Sequence, residues 1–238
     1  MCARFGITQA SFKKNLKPLN GYDQIQPAME GERYIDVSEY QQAVGSFMHA
    51  MVYTRPDIAF ATGKVAQFMS APVERHGQAV KNLFRYLKTT ASFKLRFGPG
   101  GISRLVVYAD SDWDGDRADR KSTSGSVAKF YDGSISWGSK KQKSVLRDLD
   151  RGKYIGSDPR MVQMCGDNQG ALELIKNPHL HDRSKHIDIQ YHYVRDLYED
   201  GRIELEYILT DEMPADGLTK PLESIKFARF RQMLGMVQ

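Results

Sequence analysis

The stretch Leu105-Val106-Val107-Tyr108-Ala109-Asp110-Ser111-Asp112-Trp113 opens as an apolar run and closes in acids. It reads as a short buried strand, Leu105 to Asp110, with a carboxylate at its end. Two further acidic motifs share that character. In Cys165-Gly166-Asp167-Asn168-Gln169 a predicted strand, Met161 to Gly166, gives way to a predicted helix over Asn168 to Lys176. In Pro214-Ala215-Asp216-Gly217-Leu218-Thr219-Lys220 the acid lies near the chain end. Aspartates at strand ends can converge across a sheet edge, and such carboxylates bind hard divalent ions. Two ions about 4 Å apart can activate water and stabilise the leaving oxygen in phosphodiester cleavage. The competing reading is that strand-end aspartates cap helices and shape turns, the commoner case for any single one.

Outward from this strand the pattern is α/β. Ser124 to Tyr131 and Ser134 to Lys141 flank Asp132-Gly133, a strong hairpin signal. Ile187, Tyr191, Val194 and Tyr198 recur at helical spacing, Glu204 to Leu209 reads as a strand, and Pro221 to Leu234 as a terminal helix. Three early strands followed by alternating helix and strand imply a mixed sheet with packed helices. Gly98-Pro99-Gly100-Gly101 is the clearest linker. Before it the chain is helical: one helix from an N-cap at Ser38 through Val44, Phe47, Met48 and Met51, a break at Arg55-Pro56-Asp57, a second over Ile58 to Met69, and a third from Pro72 to about Thr89. The organisation is therefore a poorly defined segment over 1–37, a helical region over 38–97, and an α/β domain over 102–238.

In the third helix Val80, Leu83, Phe84 and Leu87 share one face, while Lys81, Arg85 and Lys88 lie opposite. The cationic stripe is either a solvated surface or a track for phosphates. A solvated surface is the commoner case, while the absence of any acid between Glu74 and Asp110 supports the track. Charge is uneven along the chain. Of 238 residues, 1–100 carry 13 Lys and Arg against 7 Asp and Glu, whereas the remainder carries 21 against 22. A basic first part beside an acid-rich second part suits a polyanion grip next to carboxylate chemistry. Hydrophobic residues make up 41% of the chain and the mean hydropathy is −0.51, enough apolar content for a core and no run for a bilayer. With only Cys2 and Cys165, neither a disulfide framework nor a cysteine zinc site is available. His179, His181, His186 and His192 form the densest histidine group, a weak zinc signal without a nearby Cys.

Further motifs occur in a fixed order: Thr54-Arg55-Pro56-Asp57-Ile58-Ala59-Phe60-Ala61, Arg85-Tyr86-Leu87-Lys88-Thr89, the Asp110 motif, Arg120-Lys121-Ser122-Thr123-Ser124-Gly125, Ile135-Ser136-Trp137, Ser139-Lys140-Lys141-Gln142, Asp167-Asn168-Gln169, Lys185-His186-Ile187-Asp188-Ile189 and Asp216 through Leu222. This series closely resembles the copia-type retrotransposon Pol polyprotein, from the end of its reverse transcriptase through its ribonuclease H. The resemblance covers about residues 40–237. It implies a ribonuclease H-like mixed five-stranded sheet and cleavage of RNA in RNA–DNA hybrids with two magnesium ions. Asp110, Asp167 and Asp216 match three of the family's four catalytic, metal-holding carboxylates. Residues 38–97 would correspond to the thumb and connection, which grip nucleic acid, with Lys81, Arg85 and Lys88 as contacts; beyond that region Lys140, Lys141 and His186 are further candidate contacts, against the plainer readings of a solvated charge run and a helix-start residue. The implied partners are an RNA–DNA hybrid or duplex and the remainder of the polyprotein. The implied location is inside the cell, in cytoplasm, within virus-like particles, or nucleus, rather than secreted or in a membrane.

One departure from the family stands out. Family members carry approximately Ser-Ser-Thr-Glu-Ala-Glu-Tyr after Lys-Lys-Gln-x-x-Val, and its second Glu is the fourth carboxylate. Here Val145 is followed by Leu146-Arg147-Asp148-Leu149, and only 57 positions separate Asp110 from Asp167. A stretch on the order of 20 residues, about one sheet-covering helix with a strand end, is missing. In the alternative alignment Arg151-Gly152-Lys153-Tyr154-Ile155 replaces it, with Lys153 at the Glu position. Neither supplies the Glu. A Tyr-x-Asp-Asp polymerase loop is also absent from the sequence. Three functions therefore remain open: a hybrid-specific ribonuclease with impaired or lost activity, a non-catalytic nucleic-acid binder, and a decayed transposon relic.

Overall fold

The computed structural model describes residues 17–22, 25–98, 104–112, 123–141, 162–177 and 189–238. In chain order the helices are α1 (Val37–Tyr53), α2 (Ala59–Ala66), α3 (Glu74–Thr89), α4 (Gln169–Lys176), α5 (Ile189–Glu199), α6 (Asp216–Thr219) and α7 (Ser224–Met233). The strands are β1 (Lys94–Leu95), β2 (Leu105–Asp112), β3 (Thr123–Phe130), β4 (Gly133–Lys141), β5 (Val162–Gly166), β6 (Ile203–Tyr207) and β7 (Met236–Val237). Two compact units result, one containing residues 17–96 and 220–238, the other lying between them in sequence. Residues 220–238, which the linker at 98–101 would assign to the α/β domain, thus belong to the helical unit. No helix among the described residues is long and apolar enough to cross a membrane.

In the first unit α1 starts at Asp36 rather than Ser38, because the Asp36 carboxylate accepts the Glu39 N–H at 2.6 Å. Helices α1, α2 and α3 bury Phe47, Val65, Leu83 and Phe84, and α7 adds Phe227 and Phe230. The return of the chain end is sealed by β7 pairing antiparallel with β1. The Arg55-Pro56-Asp57 break is a buried ionic knot. Arg55 donates to both Asp57 oxygens at 2.9 and 2.8 Å, and to the Thr90 hydroxyl and carbonyl at 2.7 and 3.2 Å. The Tyr86 hydroxyl donates to Asp57 at 2.5 Å. Burial opposes the Arg55 charge, and the Asp57 hydrogen bond and charge outweigh it. Burial, reinforced by Asp57, pushes the Tyr86 phenol up. Two motifs far apart in sequence are thereby one structural clamp across the α1–α3 core.

His76 closes the start of α3. Its Nδ1 accepts the Val73 N–H at 3.1 Å, its Nε2 pairs with the Gln26 carbonyl at 2.8 Å, and its ring stacks on Phe68. The neutral ring satisfies both contacts, one nitrogen accepting and the other donating.

The second unit is a five-stranded sheet in the order β4-β3-β2-β5-β6. Strand β2 pairs antiparallel with β3 and parallel with β5, and β5 pairs parallel with β6. This is the expected mixed sheet. Its core joins Leu105, Val107, Ala128, Val162 and Ile203 to Ile175 of α4 and to Val194 and Leu197 of α5. Each of the Leu, Val and Ile side chains contributes about 1.5–3 kcal/mol by leaving water. Arg195 of α5 donates to the Leu174 carbonyl at 2.7 Å, satisfying an orphan acceptor in the last turn of α4. The hairpin turn differs from expectation by one residue. Tyr131 and Asp132, at φ 47° and 63°, form the turn, and Gly133 already pairs with Phe130. Both central positions of this tight turn are left-handed, and the bulge between Ala128 and Lys129 absorbs the offset. Residues 142–161, where a missing segment is expected from the sequence, lie outside the described residues.

Removing one partner of the buried knot leaves an uncompensated charge. Asp57→Ala is expected to destabilise the first unit by about 3–5 kcal/mol, read by chemical denaturation; a change below 1 kcal/mol would contradict the clamp. For His76 the sign follows from burial, which lowers its pKa below 6.5, with the Arg75 and Lys64 charges acting the same way and the Gln26 carbonyl and Glu32 opposing. The unfolded chain then binds the extra proton first. Stability is full above about pH 6.5 and is lost as pH falls through that value towards the lowered folded pKa. Between pH 7.5 and 5.5 the melting temperature of the wild type should drop more than that of His76→Gln; equal drops would exclude His76 as the source.

Candidate metal centre

The three aspartates singled out by sequence meet at one edge of the sheet. Each offers an oxygen within 4.8 Å of the others, and all three residues are half-buried. Register explains the first two. Tyr108 of β2 pairs with Cys165 of the parallel β5, so Asp110 and Asp167 each lie two residues further towards the same edge. Ligand sites in such sheets form beyond the carboxyl ends of parallel strands, where neighbouring connections part. Asn168 then caps α4, its side chain accepting the Ala171 N–H at 3.1 Å, which turns the chain away immediately after Asp167. The capping role thus falls on Asn168, leaving the neighbouring carboxylate for the cluster.

Asp216 arrives by a different route. It begins α6, whose Gly217, Leu218 and Thr219 are buried, as are Met213 and Ala215 before it. This segment lies directly over β3 at Gly125, the residue paired with Asp110. A Cβ at position 125 would come 2.8 Å from the Ala215 carbonyl oxygen and the Thr219 Cγ2, and 3.0 Å from the Leu218 Cβ. Ser139 of β4 fastens the same segment by donating to the Leu218 carbonyl at 2.6 Å. Thr219 donates to Asp110 Oδ2 at 2.6 Å. Gly125, Ser139 and Thr219 belong to quoted motifs but carry no chemistry of their own, so spacing alone gives them no role. Their contribution is to the approach of two segments about 90 positions apart.

The donor set is all oxygen, three carboxylates from three separate elements. Two unit charges at this range repel by roughly 3 kcal/mol at an effective dielectric of about 20. A hard divalent cation such as Mg²⁺ or Mn²⁺ would relieve that repulsion, and carboxylate oxygens are the ligands these ions prefer. The residues therefore fit such an ion. Neighbouring groups are inert by contrast. Burial, with the charge of Glu206, pushes the Cys165 thiol up to about 12, and burial likewise pushes the Tyr108 phenol up to about 12. Neither supplies a thiolate or phenolate at neutral pH.

The sequence-predicted contacts fall in both units. Lys81 and Lys88 are exposed on α3 and Arg85 is half-buried, donating to Asn82 at 2.8 Å; all three belong to the first unit. Lys140 is exposed near the end of β4. The side chain of Lys141, together with His186 and Lys153, lies outside what the structure describes. Tyr86, on the helix of the cationic stripe, is fully buried in the ionic knot.

Sheet order and helix placement define an α/β protein with a mixed five-stranded sheet and packed helices, its acidic centre at the carboxyl ends of β2 and β5. The chain is 40% identical over 216 residues to the retrovirus-related Pol polyprotein from transposon TNT 1-94 of Nicotiana tabacum, and 35% identical over 228 residues to that from transposon RE1 of Arabidopsis thaliana. These alignments cover 83% and 87% of the chain but 16% of each relative, so the chain spans about a sixth of the curated polyproteins it matches. It is also 45% identical over 116 residues, 49% of its length, to the secreted RxLR effector protein 161 of Plasmopara viticola, 82% of which is covered. Among solved structures, a foamy viral protease-reverse transcriptase in complex with RNA/DNA hybrid is similar over 85% of this chain and 28% of its own, at 14% identity and a TM-score of 0.45. No family model matches the chain. The chain belongs to the retrovirus-related Pol polyproteins of transposons.

Because Gly125 admits the segment that carries Asp216, Gly125→Ala should both destabilise the second unit by about 1–3 kcal/mol and weaken Mn²⁺ binding. Denaturant melts and manganese electron paramagnetic resonance measure the two effects. Unchanged values in both would show that the close approach is not needed.

Proposed function

We propose that this chain is the reverse transcriptase end and ribonuclease H part of a transposon Pol polyprotein, with a site built to cut the RNA strand of RNA–DNA hybrids. The convergence of Asp110, Asp167 and Asp216 on one sheet edge carries this reading. Asp110, Asp167 and Asp216 would hold magnesium. The bound ions supply an activated water and neutralise the leaving oxygen. The three side chains fix where the scissile phosphate is presented, and the half-buried setting restricts water around it. In the first unit Lys81, Arg85 and Lys88 offer cations along one helix face for the phosphate backbone, and Lys140, Lys141 and His186 are further candidate contacts. The partners on this reading are the hybrid and the rest of the polyprotein, and the working place is the cell interior, in cytoplasm or nucleus.

The missing Glu-bearing segment after Val145 sets the level of activity. Three carboxylates place metal less firmly than four, and loose placement on the order of 1 Å costs about a hundredfold in rate. The chain is thus a ribonuclease H with strongly impaired cleavage. A second reading, binding without catalysis, is favoured by one observation: no acid interrupts the basic stretch from Glu74 to Asp110. Binding through phosphates would weaken steeply with salt.

A labelled RNA–DNA hybrid with Mg²⁺ decides the matter. The chain should cut at least about a hundredfold more slowly than a version with the family's Glu-bearing segment inserted after Val145, and Asp110→Asn should silence the restored version. An uncut hybrid after insertion would refute the ribonuclease reading. Equal rates with and without the insert would refute the impairment.

A further inference from the structure

We infer that Thr219 is a positioning residue for the metal centre, its hydroxyl holding the Asp110 carboxylate in the orientation that receives the ion. The inference rests on the metal reading of the three aspartates and adds a residue to which that reading assigns no part.

The Thr219 hydroxyl has one proton and two acceptors within reach, Asp110 Oδ2 at 2.6 Å and the Asp216 carbonyl at 3.1 Å. A charged acceptor at the shorter distance takes the proton, since charge-assisted hydrogen bonds are shorter and roughly twice as strong as neutral ones. One oxygen of Asp110 is thereby fixed, which stops the carboxylate rotating about its last bond. The remaining lone pairs are left for an ion. The donor itself cannot drift. Thr219 is 2% exposed, its methyl lies against the backbone of Gly125, and the preceding residue is tied to Ser139 through the Leu218 carbonyl at 2.6 Å. The chain thus brings Asp216 and the group that orients Asp110 on one four-residue helix, so two ligands are set by a single docking event. Partners behind a ligand typically change metal affinity 10- to 100-fold when removed.

Manganese binding to the full chain, followed by electron paramagnetic resonance and calorimetry, tests this without relying on cleavage. Thr219→Val, which keeps the shape and removes the hydroxyl, should weaken Mn²⁺ binding by about tenfold or more. Thr219→Ser keeps the hydroxyl and loses the methyl, and should bind within about threefold of the wild type. Thr219→Ala is a second hydroxyl-free variant, so a folding failure of Thr219→Val, seen in its melt, leaves the comparison intact. Weak binding by the hydroxyl-free variants together with rescue by Ser supports the inference. Equal affinity in wild type, Val and Ala overturns it while leaving the metal centre standing. Wild-type binding that is no tighter than that of Asp110→Asn overturns the metal reading itself, and this inference with it.

Discussion

The acidic edge exists because a backbone segment can lie flat on a strand at one residue without a side chain. Gly125 sits opposite Asp110 in the β2–β3 ladder, and the Ala215–Thr219 segment occupies the volume that any Cβ there would fill. The third ligand and its neighbour Thr219 follow from that contact. It puts Asp216 beside two carboxylates delivered by parallel strands, and it puts the Thr219 hydroxyl on Asp110. The sheet supplies two ligands by register alone, whereas the third comes from a loop whose place is set by packing. Repulsion among the three anions opposes this arrangement, so the buried Met213, Ala215 and Leu218 must hold it against that force.

The first unit shows a different use of charge. Arg55, Asp57, Tyr86 and Thr90 form a closed set of buried hydrogen bonds linking the turn before α2 to the end of α3. Four polar groups out of water are tolerable because each finds a partner. The same helix carries Lys81 and Lys88 outward and Tyr86 inward, so an exposed basic stripe and one member of the buried clamp share its sixteen residues. The chain's last residues, Phe227 through Met236, complete this unit's core, so the helical unit is assembled from both ends of the sequence.

On the proposed reading, the three-carboxylate centre and the Glu-bearing segment of the family act on different terms. The three aspartates come from β2, the end of β5 and α6, none of which spans residues 142–161. Their convergence therefore does not require that stretch. A fourth carboxylate would add charge and a further fixed direction for an ion, which bears on rate more than on the presence of the site.

Much of this was legible in the chain itself. Alternation and apolar runs located β2, β5, α3 and α4 nearly to the residue, because burial imposes a period that sequence must obey. The ordered motifs named Asp110, Asp167 and Asp216 together. Tertiary structure decided the rest. That Tyr131 and Asp132 rather than Asp132 and Gly133 make the hairpin turn depends on pairing register and a bulge, which no local propensity fixes. That residues 220–238 complete the helical unit depends on contacts with residues more than a hundred positions earlier. Gly125 and Thr219 acquire meaning only once residues about 90 positions apart touch: a glycine's permissiveness and a threonine's hydroxyl are generic, and only proximity tells which neighbour they serve.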